Sequence, residues 1–307
     1  MNFLVRYVSQ LLLFASGPFY TYPWKPIINA LIGHSYPVAL QHFKKAHYGL
    51  VNLALHGVCL FVQVAGNFGL LRRLDELLLG IPANSTAVNV KSLSFVSAAI
   101  WCVPLLLSPA PKLISLASTA VIFAMYVLTA GLTIPTFELL ASGGFATVLI
   151  LSNLLASSKK KLPVKKVIAA TVGVLGWFAG SKYLLENHWG AAATIGNALL
   201  IGNAAFFALT PALKNPLKLT VIVGATVSKL IGIATGSELV TFHSYAFFGS
   251  LCQGIAHALT KEEATLLALE RESEDAKIRS EYAHVVYFPN IFLQTAYDAL
   301  FRTKGQN

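Results

Sequence analysis

Apolar runs of about bilayer length recur along this chain, and they limit its fold more than any other feature. A hydrocarbon core of about 30 Å takes roughly 20 apolar residues in a helix. Runs near that length lie at 46–70, 91–108, 113–133, 137–156, 166–185, 190–211, 217–235 and 239–259, and a last apolar segment covers 285–301. Short connections containing Pro, Gly, Lys or Arg separate them. A segment in lipid must satisfy its own backbone polar groups, so these runs read as helices. Composition agrees, because 55% of the residues are hydrophobic and only 12% are charged, against about 25% charged in an average soluble domain. The expected fold is all-α: a polytopic integral membrane helical bundle of about eight spans plus the C-terminal apolar segment.

Four regions follow from the same pattern. Residues 1–43 read as an N-terminal interfacial or re-entrant region, since Arg6 and Gln10 interrupt the first apolar patch and Ile27 to Gly33 is too short to span. Residues 44–259 form the transmembrane helical domain. Residues 260–283 are highly charged with leucines at helical spacing, which predicts an amphipathic cytosolic helix outside the bilayer. Residues 284–307 form a C-terminal membrane-associated segment. The lysines of 159–166 lie between two closely spaced runs, so the positive-inside rule places that loop in the cytosol. Counting spans from there brings Lys44, Lys45 and His47 to the same face as His257, and puts Arg72 and Arg73 on the opposite one.

The net charge of +10 comes from basic residues that flank apolar runs. They read as topology signals and lipid-headgroup contacts, which makes the bilayer the expected partner and excludes nucleic acid. Cys59, Cys102 and Cys252 all fall in apolar runs without CxxC spacing, so they predict neither a disulfide framework nor a zinc site. There is no G-x-S-x-G elbow, P-loop, H-E-x-x-H or dinucleotide fingerprint, which argues against serine hydrolysis and phosphoryl transfer.

Two polar stripes stand out against this apolar background. Asn52 and His56 lie four residues apart in the first long run, and Gln253 and His257 repeat the spacing in the eighth. Residues so placed are about 40° apart on a helix and form one face. Polar groups inside a membrane are costly and mark function or interhelical contact. Neutral imidazoles are common ligands for iron, zinc and copper, so one reading is a metal held between the first and eighth spans. The other is that the stripes are helix-packing contacts of a non-catalytic transporter or scaffold, each hydrogen bond worth about 1 kcal/mol. His47 precedes His56 by nine residues, which on a continuous helix puts it on the opposite face. It joins a shared site only if the helix starts after it, and Gly49, a poor helix-interior residue, predicts such a late start. His243, His284 and Glu262 are additional ligand candidates.

The run His47-Tyr-Gly-Leu-Val-Asn52-Leu-Ala-Leu-His56 resembles the H-x4-N-x3-H signature of the 2-hydroxy fatty acid dioxygenase family of the endoplasmic reticulum, which acts in phytosphingosine degradation. Gln253-Gly-Ile-Ala-His257, the acidic Glu262 and the later Val286-Tyr-Phe-Pro289 are similar to further segments of that family in order and spacing. Tyr48 stands where the family has a second histidine, and the middle six spans have no counterpart in its shorter members. The resemblance covers roughly 44–70 and 240–302. It implies an Fe(2+)-dependent membrane oxidoreductase in fatty acid and sphingolipid metabolism, shortening a long-chain 2-hydroxy acyl substrate by one carbon with dioxygen. It further implies His47, His56 and His257 as the catalytic iron ligands, Asn52 and Gln253 as residues that orient them, and a multi-pass location in the endoplasmic reticulum membrane.

Overall fold

The computed structural model describes residues 22–134, 227–262 and 273–301, together with a few isolated positions. Every regular element among the described residues is helical: α1 (Trp24–Ile32), α2 (Tyr36–Ala46), α3 (Leu50–Leu79), α4 (Leu93–Leu107), α5 (Lys112–Leu128) with a 3-10 turn at Thr129–Gly131, α6 (Glu238–Thr260) and α7 (Glu274–Phe301). Helix also covers 227–235. The expected spans at 137–156, 166–185 and 190–211, and most of that at 217–235, lie outside the described residues. Among the described residues, two helices are long and apolar enough to cross a membrane, Leu50–Leu79 and Lys112–Gly131.

Helix boundaries follow local chemistry. Pro37 sits in the first turn of α2, where its missing N–H costs nothing. Ser92 and Ser237 accept hydrogen bonds from Phe95 N and Val240 N and so cap α4 and α6. The 30-residue α3 ends at Gly80, whose φ of 65° is a left-handed conformation that glycine adopts readily. The expected break between residues 283 and 284 is absent, and α7 runs through it unbroken from Glu274. Of the 260–283 range, α6 ends at Thr260 and the last ten residues belong to α7, while 263–272 lie outside the described residues.

An antiparallel pair, α3 and α6, forms the centre. A Cβ at Gly66 would lie 2.6 Å from Tyr245 Cβ, and one at Gly249 would lie 2.6 Å from Gln63 Cβ. The two backbones approach as closely as they do because small residues line the contact, the packing mode that suits helices in lipid. At the far end of the pair Arg73 Nε meets Glu238 at 2.5 Å. The long α7 crosses the remaining helices: Trp101 Nε1 donates to Val286 O at 2.9 Å, Asn290 Nδ2 donates to Leu105 O at 2.9 Å, and Lys44 pairs with Asp298 at 2.6 Å. The first two contacts hold α4 against α7 and the third holds α2 against it, with the C-terminus of α2 over the mouth of the α3–α6 pair.

Candidate metal centre

Three histidines meet where α2 gives way to α3 and α6 ends. Helix α2 stops at Ala46, and His47 leaves the helical region at φ −138°, ψ 74°. Tyr48 and Gly49 then turn the chain into α3, which begins at Leu50 as the glycine predicts. That late start frees His47 to fold back, where its ring stacks on Phe43 with centroids 3.8 Å apart. His56 comes from the second turn of α3 and His257 from the last turn of α6. Ring centroids are 4.4 Å apart for His47 and His56 and 4.8 Å for each of them with His257. One nitrogen from each lies within 4.8 Å of the others, close enough to bind a single metal ion, and all three residues are buried.

The hydrogen bonds assign the tautomers. His47 Nδ1 lies 3.0 Å from Phe43 O and His56 Nδ1 lies 2.9 Å from Asn52 O, so each must carry the proton and donate it to that carbonyl. Both Nε2 atoms are then lone pairs, and they face each other at 3.1 Å. Two acceptors at that separation repel unless a cation binds both. Metal–nitrogen bonds of about 2.1 Å place neighbouring ligand atoms roughly 3.0–3.4 Å apart, so the observed spacing fits an edge of a coordination polyhedron. A proton is a poor alternative bridge. Burial, and then the neighbouring His56 and His257, push His47 well below the ordinary imidazole range. His257 is placed by the Asn52 side chain, whose Nδ2 lies 3.4 Å from its Nδ1. His47 and His56 thus each have Nδ1 fixed and Nε2 available, the arrangement that ligating histidines adopt. The residues present fit a transition metal.

Asn52 and Glu262 hold this geometry together. The Glu262 carboxylate accepts from Tyr48 N and Gly49 N, both at 3.1 Å, and from Asn52 Nδ2 at 3.0 Å. It therefore caps the positive end of α3 with a residue from just beyond α6. Asn52 Nδ2 also lies 3.4 Å from His257 Nδ1. Its Oδ1 is buried with no hydrogen-bond partner, an acceptor left open beside the triad. Glu262, a ligand candidate by sequence, is occupied as this cap. Gly49 leaves room for it, since a Cβ there would strike Glu262 Oε1.

Other expected residues lie elsewhere. Gln253, expected to orient an imidazole, instead donates from Nε2 to Gln63 Oε1 at 2.9 Å, one turn deeper between α3 and α6. His243 lies 3.3 Å from Ser228 Oγ and stands outside the triad. His284 lies behind Phe43, their centroids 6.4 Å apart, and also stands outside it. Cys59 and Cys102 are buried and lie in no disulfide.

Sequence reasoning missed the Gln63 partner, although Gln63 and Asn67 continue the Asn52–His56 stripe at helical spacing and are buried. It also read Arg72 only as a topology signal. That guanidinium is 5% exposed, lies over the Tyr126 ring at 4.5 Å and donates to Tyr126 O and Ser85 O. Beside it Asp75 accepts from Leu93 N and Ser94 N, capping α4.

No family model, curated protein or solved structure matches the chain.

Proposed function

We propose that this chain is an iron(II)-dependent oxygenase of the endoplasmic reticulum membrane that shortens long-chain 2-hydroxy fatty acids by one carbon. The observation that carries the reading is the pair of facing Nε2 lone pairs of His47 and His56, whose Nδ1 atoms are tied to the backbone, joined by His257 in a buried triad. The choice of iron and of substrate rests on the resemblance of 44–70 and 240–302 to the 2-hydroxy fatty acid dioxygenases. Bound iron(II) would supply a centre that takes hydroxyl and carboxylate oxygens and changes oxidation state.

The chain's own residues contribute position and exclusion of water. His47, His56 and His257 would hold the metal through neutral imidazoles, the first two already oriented by backbone carbonyls and the third by Asn52. Asn52 would offer its open Oδ1 to a hydroxyl or water at the centre. Glu262 would keep Asn52 and the start of α3 in register with α6. Apolar faces of α3 and α5 would carry the acyl tail in a multi-pass bundle of about eight spans. The overall change balances with one dioxygen per 2-hydroxy acid: the C1–C2 bond breaks, C2 becomes the new carboxyl carbon, and carbon dioxide and water leave.

A non-catalytic reading keeps one specific support, the Gln63–Gln253 hydrogen bond, which is a helix-packing contact. That contact lies deeper than the triad and leaves the facing lone pairs unexplained. The test is anaerobic purification, loading with iron(II) and incubation with a long-chain 2-hydroxy fatty acid. Oxygen uptake with formation of the acid one carbon shorter, lost in the His56→Ala/His257→Ala variant, supports the proposal. Iron-loaded parent protein that consumes no oxygen with this substrate refutes it.

A further inference from the structure

A second group of histidines lies on the other side of Phe43 from the triad. His284 of α7 carries its proton on Nδ1, because that atom lies 2.8 Å from the Ser280 carbonyl oxygen. Its Nε2 is buried and has no hydrogen-bond partner. His42 of α2 stacks against it at 16° with centroids 6.4 Å apart, and its Nδ1 lies 3.4 Å from Ser280 Oγ. His34, from the short link between α1 and α2, meets His42 edge-on at 6.2 Å. Three separate pieces of chain therefore bring imidazoles to one place.

The chemistry of His284 decides what such a place attracts. Burial, with the nearby His42 and His34 adding to it, pushes His284 down to about 4, so the ring is neutral at physiological pH. A neutral ring with its N–H committed offers only a lone pair. That atom repels a carboxylate or phosphate and attracts a Lewis acid. We propose that His34, His42 and His284 form a second site for a divalent transition-metal ion, weaker than the triad. It is weaker because its centroids stand 6.2 and 6.4 Å apart, whereas rings bound at about 2.1 Å to one ion need roughly 5 Å. Water must complete the coordination, which makes the ion exchangeable. Phe43 touches both groups, stacked on His47 and 6.4 Å from His284, so the second site adjoins the triad and suits an ion on its way in or out. The inference needs neither iron nor an oxygenase.

The test is calorimetric titration of the chelator-stripped, full-length protein with cobalt(II). Two classes of site are expected. His42→Ala, at a half-buried position, weakens the looser class by about tenfold or more, since even residues outside the ligand shell cost 10–100-fold in metal affinity, and leaves the tighter class unchanged. His56→Ala/His257→Ala does the reverse, so the two sites fail separately. A single class in the parent, or a His42→Ala titration identical to the parent's, overturns the inference. An independent readout uses the unaltered protein: cobalt(II) should protect His34 and His42 from diethyl pyrocarbonate with the midpoint of the looser class. Modification of both that is indifferent to cobalt(II) refutes the assignment.

Discussion

Glu262→Ala is the substitution from which the structure predicts most. It removes the acceptor for Tyr48 N, Gly49 N and Asn52 Nδ2, three donors at 3.0–3.1 Å. Hydrogen bonds to a charged group contribute about 1.5–3 kcal/mol each, and a lost helix cap costs about 0.5–2 kcal/mol. Tyr48 is largely exposed, so water replaces part of the two backbone bonds, while the buried Asn52 amide keeps only its longer 3.4 Å contacts with Ala46 O and His257 Nδ1. The expected cost is about 2–4 kcal/mol, less than the sum of three bonds because of that replacement. It is measurable as a shift in denaturant unfolding followed by tryptophan fluorescence in detergent. Because Asn52 and the His47 turn lose their anchor together, metal affinity should also fall by about 10–100-fold. Glu262→Gln keeps one acceptor oxygen and should lie between the parent and the alanine variant. An alanine variant within about 0.5 kcal/mol of the parent, the range of an ordinary surface change, with unaltered metal affinity, would refute the role given to this carboxylate.

Four further outcomes follow from the packing. Gly249→Ala places a Cβ 2.6 Å from Gln63 Cβ and 3.0 Å from Cys59 O, and should destabilise the α3–α6 pair by about 1–3 kcal/mol in thermal unfolding. Gln63→Leu strands the Gln253 amide and should cost about 1–3 kcal/mol, whereas Gln63→Leu/Gln253→Leu should recover most of it, a coupling that a double-mutant cycle reads directly. Asp75→Ala uncaps α4 by removing the acceptor of Leu93 N and Ser94 N; it should lower stability by about 1–2 kcal/mol without changing metal stoichiometry at the triad. In metal-stripped protein, His284 binds its proton only near pH 4 when folded but at about 6.5 when unfolded. Its contribution to stability is therefore present above 6.5 and lost as pH falls towards 4. His284→Asn should flatten that part of the stability profile.

The triad was legible in the sequence because its cost was visible. Asn52–His56 and His257 are polar residues at helical spacing in apolar runs, and Gly49 marked the break that lets His47 turn back onto them. The antiparallel pairing of α3 and α6 brings both histidines to one end of the pair. Gln253 was misjudged for a geometric reason: spacing fixes which face a residue occupies, not which residue opposes it, and the opposing residue is Gln63. Glu262 lies beyond the end of α6, where periodicity says nothing, so its bonds to the start of α3 could be known only from the fold. The second histidine group was hidden likewise, since His34, His42 and His284 are brought together by α7 crossing α2. The break expected at 283/284 followed charge density, but the helix continues because nothing in Ala283-His284-Val285 interrupts it.

The measurement that bears most directly on the account is the metal content and coordination of the triad in the full-length protein. Iron(II)-loaded protein, washed of loosely held ions, should retain one iron per chain with an X-ray absorption spectrum showing imidazole nitrogens at about 2.1 Å. His56→Ala/His257→Ala should retain none, with the fold intact by circular dichroism. Parent protein that keeps no stoichiometric metal, or a variant that keeps as much as the parent, would contradict the claim that His47, His56 and His257 are a metal centre.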